Sequence, residues 1–175
     1  MEPQTSATER LAHVAHFAVR LSSTARGIRL ARRFAVQQFT EWTGLPHVCD
    51  TAHAVALVTD ELAANAVAHG SLPGRNFRLT LLLPPSEPGV VRIEVTDTRP
   101  ERLPRHPATG PVPPDAVSGR GLLLVAVYAR RWGCEVRDAF TKTVWAEVLL
   151  QRSNASPSSP TGHAPTEVIG RSHEV

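Results

Sequence analysis

Three polar side chains, Glu61, Asn65 and His69, recur at intervals of four residues in segment 61–70. Because an α-helix turns by about 100° per residue, this spacing places them along one side of a helix, beside an apolar stripe. A carboxylate can act as a general base, and a carboxamide oxygen is a hard ligand that suits Mg²⁺. The segment is therefore a candidate nucleotide and metal site, although the pattern also fits a polar face in contact with solvent.

Two further segments carry residues suited to the same chemistry. Asp97 directly follows a predicted strand, where it could accept a hydrogen bond from an exocyclic amino group, or serve as an ordinary turn residue. Gly119 and Gly121 flank Arg120 immediately before a predicted helix. Glycines let backbone N–H groups approach phosphates closely, and a helix N-terminus favours negative charge, but a flexible loop ending in a cap is the alternative.

The elements that would position these segments follow from apolar periodicity, capping residues and turn signals. Their predicted order is strand, helix, helix, strand, strand, helix, strand, strand, with Gly70 as the C-cap of the second helix. Hairpin connections favour a mixed, mostly antiparallel sheet, so the predicted fold class is α+β, a two-layer sandwich with three helices on one sheet face. The predicted bounds are 13–21, 25–43, 50–69, 77–83, 90–96, 122–131, 132–137 and 144–150.

The chain is expected to form one domain. Its 175 residues, 42% hydrophobic and 20% charged, suit a single core over residues 11–151. Residues 1–10 are predicted to be a flexible polar leader, and the Ser- and Pro-rich residues 152–175 a disordered tail. Segment 98–118 is rich in Pro and Arg without periodicity, which is typical of a lid or another mobile functional loop.

Charge, cysteines and hydropathy exclude several classes of function. A net charge of +3 with scattered basic residues gives no face for direct nucleic-acid binding. Cys49 and Cys134 are isolated, so neither a metal knuckle nor a redox pair is indicated. No apolar stretch approaches the length of a membrane span, and the N-terminus carries no secretory signal. We therefore expect a soluble, cytoplasmic protein without membrane contact.

Together, the three segments resemble the GHKL ATPases, the superfamily of DNA gyrase, heat-shock chaperone ATPases and sensor histidine kinases. Segment 61–70 is similar to the N box of these proteins, Asp97 lies where their first glycine box begins, and segment 119–122 resembles their second. The small size of the chain makes it most similar to the RsbW-type anti-sigma-factor kinases. The sequence details that carry this closer resemblance are segments 58–70, 119–133 and 142–148.

This resemblance implies a Bergerat-type fold and ATP site. Asn65 would be the Mg²⁺ ligand, Glu61 the catalytic base and Asp97 the reader of adenine. The remaining ATP contacts implied by the resemblance are His69, Gly119, Arg120, Gly121, Leu122 and Thr143. The pattern departs from the family after Asp97, where Thr98, Arg99 and Pro100 replace the usual glycines.

The function implied by the resemblance is that of an ATP-dependent serine/threonine protein kinase. Such a kinase would phosphorylate an anti-anti-sigma-type partner, bind a sigma factor in another state, and could form a homodimer. The alternative is a non-catalytic regulatory module in which bound ATP or ADP controls a partner protein. The retained Glu61 favours the kinase, whereas the altered glycine box favours the module.

Overall fold

A computed structural model describes residues 15–70, 74–104 and 120–150 of the chain. The predicted order of elements is confirmed. The elements are β1 (Ala15–Ser22), α1 (Ala25–Thr43), α2 (Asp50–Asn65), a π-helical turn (Ala66–Gly70), β2 (Asn76–Leu83), β3 (Val90–Asp97), α3 (Arg120–Tyr128), β4 (Arg131–Val136) and β5 (Lys142–Leu149).

The five strands form one sheet in the order β1-β2-β3-β5-β4. All four pairings are antiparallel, including the β3–β5 pair, whose strands are separated in sequence by α3 and β4. The three helices and the sheet form two layers, which confirms the predicted α+β sandwich. Strand β3 occupies the centre, and its last residue, Asp97, lies directly opposite Lys142 of β5.

Helix α1 begins and ends where its capping residues predict. The Thr24 hydroxyl accepts a hydrogen bond from the Gly27 N–H at 3.2 Å, which satisfies one of the unpaired donors of the first turn. Gly44 ends the helix with a left-handed φ of 68°, and its N–H donates to the Thr40 carbonyl at 2.9 Å. The helix buries one stripe against the core, formed by Gly27, Ala31, Ala35 and Phe39.

The end of α2 differs from its prediction. The α-helix ends at Asn65, and the next five residues form a π-helical turn, a rare conformation that is frequent at functional sites. Gly70 does not adopt the left-handed conformation of a helix cap. Its carbonyl instead accepts a hydrogen bond from the Thr98 N–H at 3.0 Å, so the turn is tied to the chain that leaves β3. The local sequence cannot reveal this long-range contact.

The hydrophobic core lies between the sheet and the helices. Burying a large apolar side chain contributes about 1.5–3 kcal/mol before entropic costs. The opposite face of the sheet is polar, with the Arg92 guanidinium 4.0 Å from the Trp145 ring centroid. The largest fully buried side chains are Phe39, Phe77, Leu62, Leu79, Leu81, Ile93, Val55, Val58, Val91, Val95, Val125 and Val148.

Helix α3 is displaced from its predicted bounds. It begins at Arg120 and ends at Tyr128, because Arg131 already belongs to β4. The predicted leader and tail, and most of the predicted lid, lie outside the described residues. Within the described ranges, no helix combines the length and the apolar composition that crossing a bilayer requires.

Candidate functional site

The π-helical turn and the end of β3 are in close contact. A β-carbon at position 70 would lie 2.1 Å from Oδ2 of Asp97 and 2.8 Å from the Asp97 β-carbon. Only glycine leaves room for this approach. The glycine that follows Glu61, Asn65 and His69 in sequence therefore lets their segment reach Asp97.

The start of α3 meets the same region from the other side. A β-carbon at position 121 would lie 2.3 Å from Oε2 of Glu61, so Gly121 lets the first turn of α3 lie against this carboxylate. Segment 61–70 thus contacts both Asp97 and Gly121. The three segments that hold the candidate site residues converge, although Gly121 lies 60 positions after Glu61 in sequence.

Asn65 is the last residue of α2 and lies in sequence between Glu61, which contacts Gly121, and Gly70, which contacts Asp97. Its Nδ2 atom is buried and has no hydrogen-bond partner within the described part of the chain, and the same is true of the Thr98 hydroxyl. Buried polar groups in folded proteins are nearly always paired. Within the described part of the chain, the unpaired Nδ2 donor therefore fits a site in which an acceptor, such as a phosphate oxygen, completes its hydrogen bonding.

A cation at this site would depend on Asn65. The described residues contain no group of three or more His, Cys, Asp or Glu side chains that could hold a metal ion. Mg²⁺ usually takes few ligands from the protein and the others from water and phosphate oxygens. A single carboxamide beside bound phosphates suits this mode of binding.

Glu61 carries a carboxylate with the properties of a base. Burial raises its pKa, and the neighbouring charge of Asp60 raises the pKa further. No hydrogen bond or ion pair engages the Glu61 carboxylate among the residues that the structure describes. Asp60 differs, because Arg32 Nη1 donates to its Oδ2 at 3.0 Å. A half-buried, unpaired carboxylate with a raised pKa is suited to accepting a proton.

Asp97 is almost fully enclosed, with 3% of its surface exposed. Burial raises the pKa of its carboxyl, and hydrogen bonds from Lys142 and from the Arg99 N–H oppose that rise. Lys142 Nζ lies 2.6 Å from Oδ1, and the Arg99 nitrogen lies 3.1 Å from the same oxygen. One carboxylate oxygen is therefore engaged, while the other lies beside Gly70.

Lys142, which the sequence motifs do not indicate, is a further candidate site residue because it contacts Asp97. The strand pattern of β5 does indicate its position. Lys142 lies two residues before Val144 and so shares the buried, apolar face with Val144, Ala146 and Val148.

Thr143, which the resemblance implies as an ATP contact, lies on the other face of the sheet. Its hydroxyl is 2.8 Å from that of Thr96 and accepts from Arg137 Nε at 3.4 Å. The structure does not bring Thr143 together with Asn65 and Asp97.

The other expected contacts divide into three groups. The Leu122 side chain is buried in the core, so only its backbone, in the first turn of α3, is available to a phosphate. His69 is exposed within the π-helical turn. Gly119 and the side chain of Arg120 lie outside the described residues.

The chain is similar to a known protein family. Residues 8–146 match the family model of the histidine kinase-like ATPase domain. Among the described elements, the matched region includes every helix and all strands except the end of β5. It also includes Glu61, Asn65, Asp97 and Gly121. A comparison with curated proteins finds no match. Because the match covers well over half of the chain and the three motif segments converge, the chain belongs to the histidine kinase-like ATPase domain family.

Proposed function

We propose that the protein binds ATP with Mg²⁺ among α2, the end of β3 and the first turn of α3, and that it transfers the γ-phosphate to a serine or threonine of a partner protein. The observation that carries this proposal is the half-buried Glu61 carboxylate, which has a raised pKa and lies one helical turn from Asn65, whose Nδ2 has no partner among the described residues.

Each contact has a defined role in this proposal. The Asn65 carboxamide would hold Mg²⁺, which when bound neutralises phosphate charge. The backbone N–H groups of the first turn of α3 would bind phosphate oxygens. Asp97 would accept a hydrogen bond from the adenine amino group.

Glu61 would act as the general base. It would take the proton from the attacking hydroxyl while the new oxygen–phosphorus bond forms and the bond between the γ-phosphorus and ADP breaks. The proton would then reside on the Glu61 carboxylate, and the products would be ADP and a phosphoserine or phosphothreonine. The pKa of Glu61, raised by burial, favours this proton transfer.

The partner class follows from the resemblance to the RsbW-type kinases. The proposed phosphate acceptor is an anti-anti-sigma-type protein in the cytoplasm, and a sigma factor is the proposed partner in the alternative state. A homodimer is part of the same proposal. The supporting sequence features are segments 58–70, 119–133 and 142–148.

A second candidate is a regulatory module that binds ATP or ADP without transferring phosphate. The observation that favours it is the chain after Asp97, where Arg99 and Pro100 stand in place of flexible glycines. In this case nucleotide exchange alone would alter the partner-binding surface. The two candidates differ in whether Glu61 is required.

The test is phosphate transfer from radiolabelled Mg·ATP to candidate anti-anti-sigma domains. We expect label on a partner serine or threonine, and a rate at least about 100-fold lower for Glu61→Gln, because a general base contributes on this scale. Glu41→Gln on the exposed side of α1 is the matched control and should keep the wild-type rate. An equal rate for Glu61→Gln would contradict the kinase. Partner binding that requires ATP but not Glu61 would establish the regulatory module instead.

A further inference from the structure

Lys142 is the sole lysine of the chain, whose other basic residues are all arginine. It is 3% exposed, and a lysine is rarely buried to this extent without a partner. Lys142 and Asp97 are directly opposite each other on β5 and β3, on the face that the helices cover. The candidate site therefore contains a buried cation with no role in the phosphate transfer proposed above.

Two hydrogen bonds hold the Lys142 ammonium group. Nζ donates to Oδ1 of Asp97 at 2.6 Å and to the carbonyl oxygen of Arg99 at 2.7 Å. The Arg99 N–H donates to the same Oδ1 at 3.1 Å. These contacts join the end of β3, the following turn and the start of β5. The resemblance to GHKL proteins would place flexible glycines in that turn, directly after Asp97. Lys142 thus fixes a turn whose residues do not have the freedom of glycine.

The same contacts make the two oxygens of Asp97 unequal. Oδ1 accepts two hydrogen bonds, whereas Oδ2 has no donor among the described residues and lies beside Gly70. Burial favours the protonated carboxyl, and the ammonium group of Lys142 opposes this preference. Asp97 therefore retains one acceptor oxygen that has no donor among the described residues and lies beside Gly70 of the π-helical turn.

We propose that Lys142 is a positioning residue for nucleobase recognition: it keeps Asp97 ionised and oriented so that Oδ2 accepts a hydrogen bond from the amino group of a 6-aminopurine nucleotide. This inference rests on the proposed ATP site. Lys142 acts through Asp97 and does not itself select the base. A lysine with a structural role alone would stabilise the fold without changing which base is preferred.

The discriminating measurement is a ratio of affinities. ATP and purine riboside triphosphate differ by the 6-amino group, so the ratio of their affinities isolates recognition of that group. A hydrogen bond to a charged acceptor predicts that wild-type protein binds ATP at least about tenfold more tightly. We expect Lys142→Met and Asp97→Asn to reduce this preference below about threefold. Arg78→Met on the exposed face of β2 is the control and should keep the preference.

A second measurement uses the unmutated protein and covers the case in which Lys142→Met does not fold. Because the chain has one lysine, ¹⁵N-lysine labelling gives a single side-chain ammonium signal in NMR spectra. We expect saturating ATP to shift this signal more than purine riboside triphosphate does.

Two results would overturn the role of Lys142 while ATP binding stands. One is a folded Lys142→Met variant with the wild-type preference for ATP. The other is an ammonium signal that ATP leaves unchanged while calorimetry shows binding. An absence of ATP binding by the wild-type protein would instead overturn the proposed site itself, and the role of Lys142 with it.

Discussion

The half-buried position of the Glu61 carboxylate destabilises the folded protein. Its carboxylate is half-buried, lies beside Asp60 in sequence, and has no cation or donor among the described residues. Proteins retain such groups where function requires them, and stability elsewhere offsets the cost. The raised pKa of Glu61 turns this cost into a measurable dependence of stability on pH.

Glu61→Gln should therefore be more stable than wild type at pH 7–8. The pKa of Glu61 in the folded state lies above its ordinary value of 4.5, so the ionised group destabilises the fold above the folded pKa. As pH falls through that pKa toward 4.5, wild type gains stability relative to the variant, and the difference disappears. Urea unfolding at a series of pH values measures the effect.

Glu147 supplies a control of the opposite sign. Its buried carboxylate loses solvation, yet hydrogen bonds from Arg131 and Arg92 lower its pKa below the ordinary value. Glu147→Gln should therefore be less stable than wild type at neutral pH, and this deficit should shrink as pH falls through the folded pKa. A Glu61→Gln variant that is less stable than wild type at pH 8 would contradict the description of Glu61.

At the scale of single residues, the sequence indicates candidate site residues that lie close to one another along the chain. Glu61 and Asn65 could be proposed from the sequence because a helical repeat is visible in a short segment. Lys142 was missed because its partner Asp97 is 45 residues away and meets it only through the register of β3 and β5. Thr143 was expected at the site, but strand alternation directs its side chain to the other face of the sheet.

At the scale of elements, two glycines set how closely the helices and β3 approach one another. Gly70 lies against Asp97, whose position is held by Lys142 and by the Arg99 backbone. Gly121 lies against the far end of the Glu61 side chain, which can rotate away. The two contacts should therefore respond differently to the same added methyl group.

Gly70→Ala should destabilise the protein by about 1–3 kcal/mol, because the added carbon would overlap the β-carbon of the restrained Asp97. Gly121→Ala should change stability by less than about 1 kcal/mol, because Ala favours the helix and Glu61 can move. The displaced carboxylate should nevertheless lower the rate of phosphate transfer. Urea unfolding and the labelled-ATP assay measure the two effects. Equal losses of stability in both variants would contradict the distinction.

The ends of a helix can be predicted from the sequence where neighbouring residues cap it. Thr24 and Gly44 limit α1 as their side chain and backbone preferences predict. The π-helical turn after Asn65 was not predictable, because it depends on the contact of Gly70 with Asp97 and Thr98. The start of α3 was misjudged by two residues, since Arg120 and Gly121 were interpreted as loop.

At the scale of the whole molecule, the antiparallel topology brings the candidate site residues together. The pairing of β3 with β5 places Asp97 opposite Lys142, and the helix layer places α2 and α3 over the same end of the sheet. The fold class was predictable from the order of elements and the hairpin connections. The convergence of the three segments was implied by the resemblance, but only the structure gives the contacts that produce it.

The most direct test of this account is calorimetry of Mg·ATP binding to wild type, Asn65→Ala and the control Asn76→Ala. We expect binding by wild type and by the exposed control, and an affinity at least about tenfold lower for Asn65→Ala. The fold of Asn65→Ala should persist, because the Asn65 Nδ2 has no hydrogen bond in the described part of the chain to lose. Wild-type protein that binds no Mg·ATP, or a folded Asn65→Ala variant with unchanged affinity, would contradict the proposed ATP site.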